Sequence, residues 1–232
     1  MDLFGVLQDA YPTLLKGLFT TVEVTVISLL IAAVLGIITC MFRISHIPPL
    51  RWLAKFYIWL IRGTPMLVQA LYIYLALPQL LQMITGSNVK ISIMTASIAT
   101  LALNAGAYMS EIFRGAIEAV PKGQTEAARS LGLSYGQTMR KVVLPQAVKI
   151  CLPSLVNQCI ITLKDSTILY AIGLAEIMYY GKVYVGRTFA VFATYTWIAI
   201  FFLVVISILS IVSRRIEDRM KGKRRRRDES KQ

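Results

Sequence analysis

Five apolar stretches alternate with polar connections along the chain. They occupy residues 18–42, 52–78, 91–113, 142–163 and 190–213. Each is long enough to cross a bilayer as a helix, which takes about 20 residues. The first, third and fifth are clean. The fifth, AVFATYTWIAIFFLVVISILSIVS, shows no polar face, whereas a helix on a soluble protein would show one. The second carries Lys55, Arg62 and Pro65, and the fourth carries Pro145, Lys149, Pro153, Asn157 and Gln158. The pattern predicts an all-α integral membrane protein with five transmembrane helices. Repeated halves, common in standalone carriers, are not visible. Five helices leave little room to enclose a wide polar pathway, so a partner subunit is expected.

Residues 1–17 open MDLFGVLQDAYP, acidic rather than basic, with no small-residue cleavage site before the first apolar run. They read as an interfacial lead-in, a weak surface helix. Residues 18–213 form the membrane domain, and residues 214–232 a basic tail. The segment 171–188 is intermediate in polarity and broken by Gly173, Gly181 and Gly186, as a short re-entrant or surface helix would be.

Composition sharpens this picture. The 232 residues are 56% hydrophobic and 16% charged, against about 25% charged in soluble domains. The net charge is +13. With five spans and the N-terminus outside, the C-terminus is cytoplasmic. Only Lys16, Lys90, Lys164, Lys182 and Arg187 of the 25 basic residues then fall outside. That asymmetry fits the positive-inside rule. The tail KGKRRRRDESK therefore reads as a topology signal lying against anionic lipid, and no nucleic-acid partner is expected. Cys40, Cys151 and Cys159 lie in apolar segments and His46 stands alone in the first loop. They form no metal site and no nucleophile–base set, so neither metal nor catalytic residues are expected.

The longest inner connection holds EAARSLGLSYGQTMRKVVLPQA. Pro121-Lys122-Gly123 ends the third helix. A helix of about two turns follows, and Gly132 stands where a left-handed C-terminal cap would sit. Ser134 and Gln137 then make a capping box for the next helix. A helix this short is marginal alone in water, so it must lean on something. Ala127 and Ala128 leave it a nearly bare face, and Glu126 and Arg129 offer charge. A helix resting on headgroups would carry large apolar anchors instead. The pattern favours docking to another protein.

In the fourth helix, at 100° per residue, Asn157 lines up with Lys164 and Gln158 with Asp165, giving one broad polar stripe. A Lys or Asp at mid-membrane costs about 2.5–3.5 kcal/mol, so such groups turn inward. Pro145 and Pro153 interrupt the ladder below, as in broken helices that present free backbone groups to a substrate. A plain polar contact between helices is the alternative for Lys164 and Asp165. Arg62-Gly63-Thr64-Pro65 predicts a kink, either a gate lining the pathway or a packing feature. Glu111 and Arg114, three apart, pair at the inner end of the third span.

Glu126-Ala127-Ala128, Gly132 and Leu144-Pro145 resemble the cytoplasmic EAA signature of ABC importer permeases. RWLAKFYIWLIRGTPMLVQ, LNAGAYMSEIFRGAI, GQTEAARSLG and LKDST are similar to the polar amino acid branch of that family, the histidine, glutamine, arginine and cystine type. Four motifs agree in order and spacing over about residues 14–215. The resemblance implies a type I importer fold, paired permeases (identical or homologous), two cytoplasmic ATPase subunits and an external amino acid-binding protein. It implies a coupling helix at about residues 123–132, with Gly123, Glu126, Ala127, Ala128 and Gly132 against the ATPase. Glu126 would meet a basic residue of the ATPase, and the alanines would enter its groove. It places the Gln158 position in the substrate cavity, in a bacterial cytoplasmic membrane; Arg62, Thr64, Pro65, Asn157, Lys164 and Asp165 join it as pathway candidates from the kink and the polar stripe. The chain itself holds no GxxxxGK[ST] phosphate loop, so ATP and Mg belong to the partner ATPase and no cofactor to this chain. The Gln158 position is often acidic in permeases for basic amino acids. A neutral amide there favours glutamine or cystine over arginine, lysine or histidine. The rival classes are a standalone carrier or channel, which needs no docking helix, and an intramembrane enzyme.

Overall fold

The computed structural model describes residues 3–229. Eight helical runs follow one another: α1 (Leu3–Ile44), α2 (Pro48–Arg62), α3 (Met66–Thr85), α4 (Ile93–Glu118), α5 (Lys122–Ser130), α6 (Tyr135–Ile172), α7 (Ile177–Thr188) and α8 (Val191–Glu229). By length and apolarity, α1, α3, α6 and residues 191–215 of α8 qualify as membrane spans.

The expected third span, 91–113, falls almost wholly within one helix, α4, 26 residues long, but α4 is not apolar enough to qualify with the other four. The reason lies in its packing. Ala96, Ser97, Thr100, Ala105, Gly106 and Ser110 are buried against α1. The facing strip of α1 is equally small, with Thr25, Ser28, Ala32 and Gly36 buried. Small residues let membrane helices approach closely. A Cβ on Gly36 would come within 2.9 Å of Met109 Cβ. The hydroxyls return to carbonyls of their own helix, Thr25 to Thr21 at 2.7 Å and Thr100 to Ala96 at 2.7 Å. Ser28 Oγ instead donates across the seam to Ile98 O at 3.3 Å, and Ser97 Oγ, buried in the same seam, has no hydrogen-bond partner among the described residues.

Three expectations change. Residues 3–17 are not a separate lead-in but the first turns of α1. Val6, Ala10 and Leu14 are fully buried, with Ala10 and Leu14 packed on Ile177 and Ile198. Trp197 Nε1 donates to Leu3 O at 2.8 Å, and the Tyr184 hydroxyl to Asp9 at 2.9 Å. The lead-in is built into the core between α7 and α8. The expected second span, 52–78, is two helices. Gly63-Thr64-Pro65 ends α2, and α3 begins at Met66. The expected fourth span is not broken by its prolines. A π-turn at Met139–Val143 precedes Pro145, and Pro153 sits inside the α-helical run Leu144–Asp165. A widened turn relieves the clash of a proline ring with the preceding turn.

The tail expected from residue 214 continues α8 through Glu229, and residues 230–232 lie outside the described part. Residues 171–188 form the end of a 3₁₀ turn (Ser166–Ile172), a left-handed Gly173 at φ 92° and α7. A Cβ on Gly17 would come within 2.7 Å of Ile177 Cα, so α7 rests directly on the backbone of α1.

Candidate functional site: a polar cleft and a helical corner

The corner forms from local chemistry. Gly132 takes φ 82°. Its N–H donates to Arg129 O at 3.0 Å, and that of Leu133 to Ala128 O at 3.2 Å. These are the two bonds of a Schellman cap. Ser134 Oγ then accepts from Gln137 N–H at 3.3 Å, and Gln137 Oε1 from Ser134 N–H at 2.9 Å, closing the capping box. Arg129 Nη1 donates to Leu133 O at 3.1 Å.

Along α5, Gly123, Glu126 and Ala127 are exposed, and Leu131 beyond its end is 81% exposed. Ala128 is different. It is 6% exposed and turned into its own chain, because α5 packs on the Met139–Val143 turn. It therefore cannot enter a partner's groove. The open alanine of the pair is Ala127.

Higher in the bundle, a cleft of about 620 Å³ is lined by Arg62, Tyr108, Glu111, Ile112, Pro153, Ser154, Asn157 and Gln158. The Arg62 guanidinium stands 4.9 Å from the centre of the Tyr108 ring, a cation–π distance. The expected Glu111–Arg114 pair is present, at 2.6 Å from Nη2 to Oε2. Arg114 also reaches Glu118 at 2.6 Å, and Arg43 of α1 lies 3.9 Å from Glu111. Glu111 is thus held by two cations while its side chain borders the cleft. Gln158 is buried at 5% exposure, with Nε2 3.4 Å from Thr162 Oγ1. Asn157 is exposed toward the cleft.

Of the expected pathway residues, Arg62, Asn157 and Gln158 come together. Thr64 and Pro65 form the adjoining break. Lys164 and Asp165 stand apart from the cleft, about 9 Å farther along the helix from Gln158 at 1.5 Å per residue. Lys164 is exposed and Asp165 half-buried there. The 100° wheel put them on one stripe but ignored this axial distance.

Sequence reasoning passed over Gln69, Asn104, Tyr108 and Ser154. A signal existed for three of them. Asn104, Tyr108 and Glu111 recur at i, i+4 and i+7, one face of α4. Gln69 falls one turn after Pro65, and Asn104 donates to it at 3.2 Å.

A polar cleft among apolar helices, with a charged corner on one side, defines a membrane transport subunit. Residues 32–222 match the family described as binding-protein-dependent transport system inner membrane component, and the chain belongs to that family as an ABC permease of amino acid transport. It is 36% identical over 217 residues to the arginine transport system permease protein ArtQ of Bacillus subtilis (strain 168), covering 91% of this chain and 94% of that one. The glutamine transport system permease protein GlnP of Escherichia coli (strain K12) is 36% identical over 218 residues, 94% and 97% of the two chains. The L-cystine transport system permease protein TcyB of Bacillus subtilis (strain 168) is 33% identical, covering 92% and 88%. A crystal structure of an amino acid ABC transporter with histidines superposes at TM-score 0.87 with 36% identity, over 94% of this chain and 99% of that one. The inward-facing MetNI methionine ABC transporter shares the fold, at TM-score 0.71 and 19% identity over 90% and 96%.

Proposed function

We propose that this chain pairs with a second permease and imports a polar amino acid, glutamine or cystine, by alternating access across a bacterial cytoplasmic membrane. The observation that carries the reading is the cleft, where Arg62, Asn157 and Gln158 converge from α2 and α6. In this arrangement α1, α3, α4, α6 and α8 are five membrane crossings, with the N-terminus outside and the C-terminus inside. At 26 residues and 1.5 Å rise, α4 spans roughly 39 Å, enough for a hydrocarbon core of about 30 Å.

The cleft is open on one side, which a second permease would close. Arg62 can face a substrate carboxylate, and the amides of Asn157 and Gln158 can both donate and accept. A neutral side chain in the substrate then needs no counter-charge. The α5 corner couples the membrane part to two ATPase subunits, which supply ATP and Mg chemistry, and an external binding protein delivers the amino acid. Gly123, Glu126 and Ala127 offer the docking face, and Gly132 the turn. Thr64 and Pro65 belong to the pathway as the break beside Arg62. Lys164 and Asp165 belong to its outer end.

A basic substrate is the second reading, favoured by Glu111 at the cleft wall. Its carboxylate is already engaged by Arg114 and Arg43, so we place it second. The test uses the complex purified with its ATPase and binding protein. ATP hydrolysis should rise with L-glutamine or L-cystine more than with L-arginine. Gln158→Glu should then shift preference toward arginine by roughly ten-fold, the worth of one charge-assisted hydrogen bond. No stimulation by any amino acid would sink the import reading. An unchanged preference in Gln158→Glu would sink the neutral-substrate reading.

A further inference from the structure

Pro65 leaves one hole in the backbone ladder. In a continuous helix the N–H of residue 65 would donate to Ile61 O, and proline has no N–H. Gln69 fills the hole, with Nε2 2.7 Å from Ile61 O. The same nitrogen lies 3.0 Å from Thr64 O and 2.9 Å from Thr64 Oγ1. The Thr64 hydroxyl in turn donates to Leu60 O at 2.8 Å, again replacing a ladder bond. So far the side chains only repair the break.

Gln69 Oε1 does more. It accepts from Asn104 Nδ2 of α4 at 3.2 Å. Gln69 and Ile61 are each 9% exposed, so Ile61 O has no ready supply of water to take the place of the amide. Asn104 shares a helix face with Tyr108, and Tyr108 carries Arg62 above its ring. Arg62 is the last residue of α2 before the break. One chain of contacts therefore runs from the break to α4 and back to the cleft.

We propose that Gln69 and Asn104 are positioning residues that lock the α2–α3 break in register with α4 and so hold Arg62 at the cleft. The inference rests on the cleft being the substrate pathway. Without the clamp, two short helices joined at Gly63-Thr64-Pro65 take a spread of angles, and Arg62 spreads with them.

The assembled transporter, with ATPase and binding protein, tests this in proteoliposomes. Spin labels on cysteines replacing the exposed Trp52 and Met83 report the distance across the break, in a background where Cys40, Cys151 and Cys159 are replaced by alanine. Gln69→Leu should widen the distance distribution. It should also raise the half-saturating concentration for L-glutamine or L-arginine uptake roughly ten-fold. Pro65→Ala in the Gln69→Leu background restores a donor for Ile61 O. Thermal stability should recover, and the distribution should narrow about a new mean. The half-saturating concentration should stay raised, because Arg62 is then aimed by a straighter helix.

If the double variant recovers both stability and wild-type uptake, Gln69 merely fills the ladder and the proposal is overturned. Asn104→Ala leaves the ladder intact and removes only the link to α4, so it decides the matter should Gln69→Leu fail to fold. A widened distribution is expected there, and an unchanged one overturns the clamp. A wild-type complex that moves neither amino acid removes the pathway reading instead. The label distances still judge the clamp in that case.

Discussion

The corner at residues 121–137 and the break at residues 61–69 both interrupt a helix, and they are repaired in opposite ways. At the corner every replacement bond comes from within six residues: Gly132 to Arg129, Leu133 to Ala128, and Ser134 with Gln137. At the break the repair begins locally with Thr64 and Gln69 but ends on Asn104, 35 residues away. The corner is also wet. Glu126, Ala127 and Leu131 are exposed, whereas Gln69 is buried. A surface element can be specified by its own sequence because water tolerates small errors. A break inside the bundle needs a neighbour, because an unpaired buried group costs about 1–3 kcal/mol. The exposed α5 face and the α2–α3 break are therefore vulnerable to different changes.

The largest effect should come from reversing charge on the wet side. Glu126 is exposed and forms no ion pair among the described residues. Glu126→Lys should leave the membrane helices folded. If a basic ATPase residue faces Glu126, a like-charge contact costing several kcal/mol replaces an attractive one, and association weakens roughly a thousand-fold. Co-purification of the ATPase and amino acid-stimulated hydrolysis should both disappear, with an unchanged melting curve for the isolated permease. Survival of both activities would remove the docking role from this face.

The same contrast explains what was legible in the sequence. The corner could be read residue by residue, since Gly132, Ser134 and Gln137 each act on near neighbours. The Glu111–Arg114 pair was legible for the same reason. The split of the second apolar stretch was half legible: Pro65 announced a kink, but the partners that hold it required knowing that α4 lies alongside. The buried role of residues 3–17 was hidden because their packing partners, Ile177 and Ile198, lie far along the chain. Ala128 was misassigned because a bare helix face can serve a partner or the protein's own turn. Only the packing of α5 on Met139–Val143 decides between them.

A third interruption, between the 3₁₀ turn and α7, combines both cases: its cap is local, but it is buried and leans on α1, where Thr21 Oγ1 accepts from Ile177 N–H at 3.4 Å. Glu176 caps α7, with Oε1 accepting from Tyr179 N–H at 2.8 Å, and it is fully buried. Burial pushes its carboxyl up from 4.5 to about 7, against the pull of the Met178 and Tyr179 N–H groups and the Thr21 hydroxyl. A raised acid pKa means the folded state holds the proton more tightly than the unfolded one. Stability from this group is therefore complete below about pH 4.5 and is lost as pH rises through about 7. The full loss is on the order of 3 kcal/mol. Glu176→Gln keeps an acceptor for Tyr179 and removes the titration. Melting temperatures in detergent from pH 4.5 to pH 8 should fall with pH in the wild type relative to the variant. Parallel curves would show that Glu176 ionises without cost.

The smallest effect separates two glycines of the corner itself. Gly132 needs its left-handed backbone at φ 82°, although a Cβ there would meet nothing within 4 Å. The strain is conformational, about 1–2 kcal/mol for an L-residue. Gly123 also has open space around it and lies in the first turn of α5 at an ordinary φ. Alanine there should stabilise the helix by roughly 0.5–1 kcal/mol. Gly132→Ala should thus lower the melting temperature of the permease while Gly123→Ala raises it slightly. Their effects on coupling need not follow stability. If the ATPase approaches the α5 backbone at Gly123, Gly123→Ala will weaken ATPase binding in a protein that melts later than the wild type. If binding is unchanged, the docking face begins beyond Gly123, at Glu126 and Ala127. A fall in melting temperature for Gly123→Ala would contradict the open space around it and the helical start at Lys122.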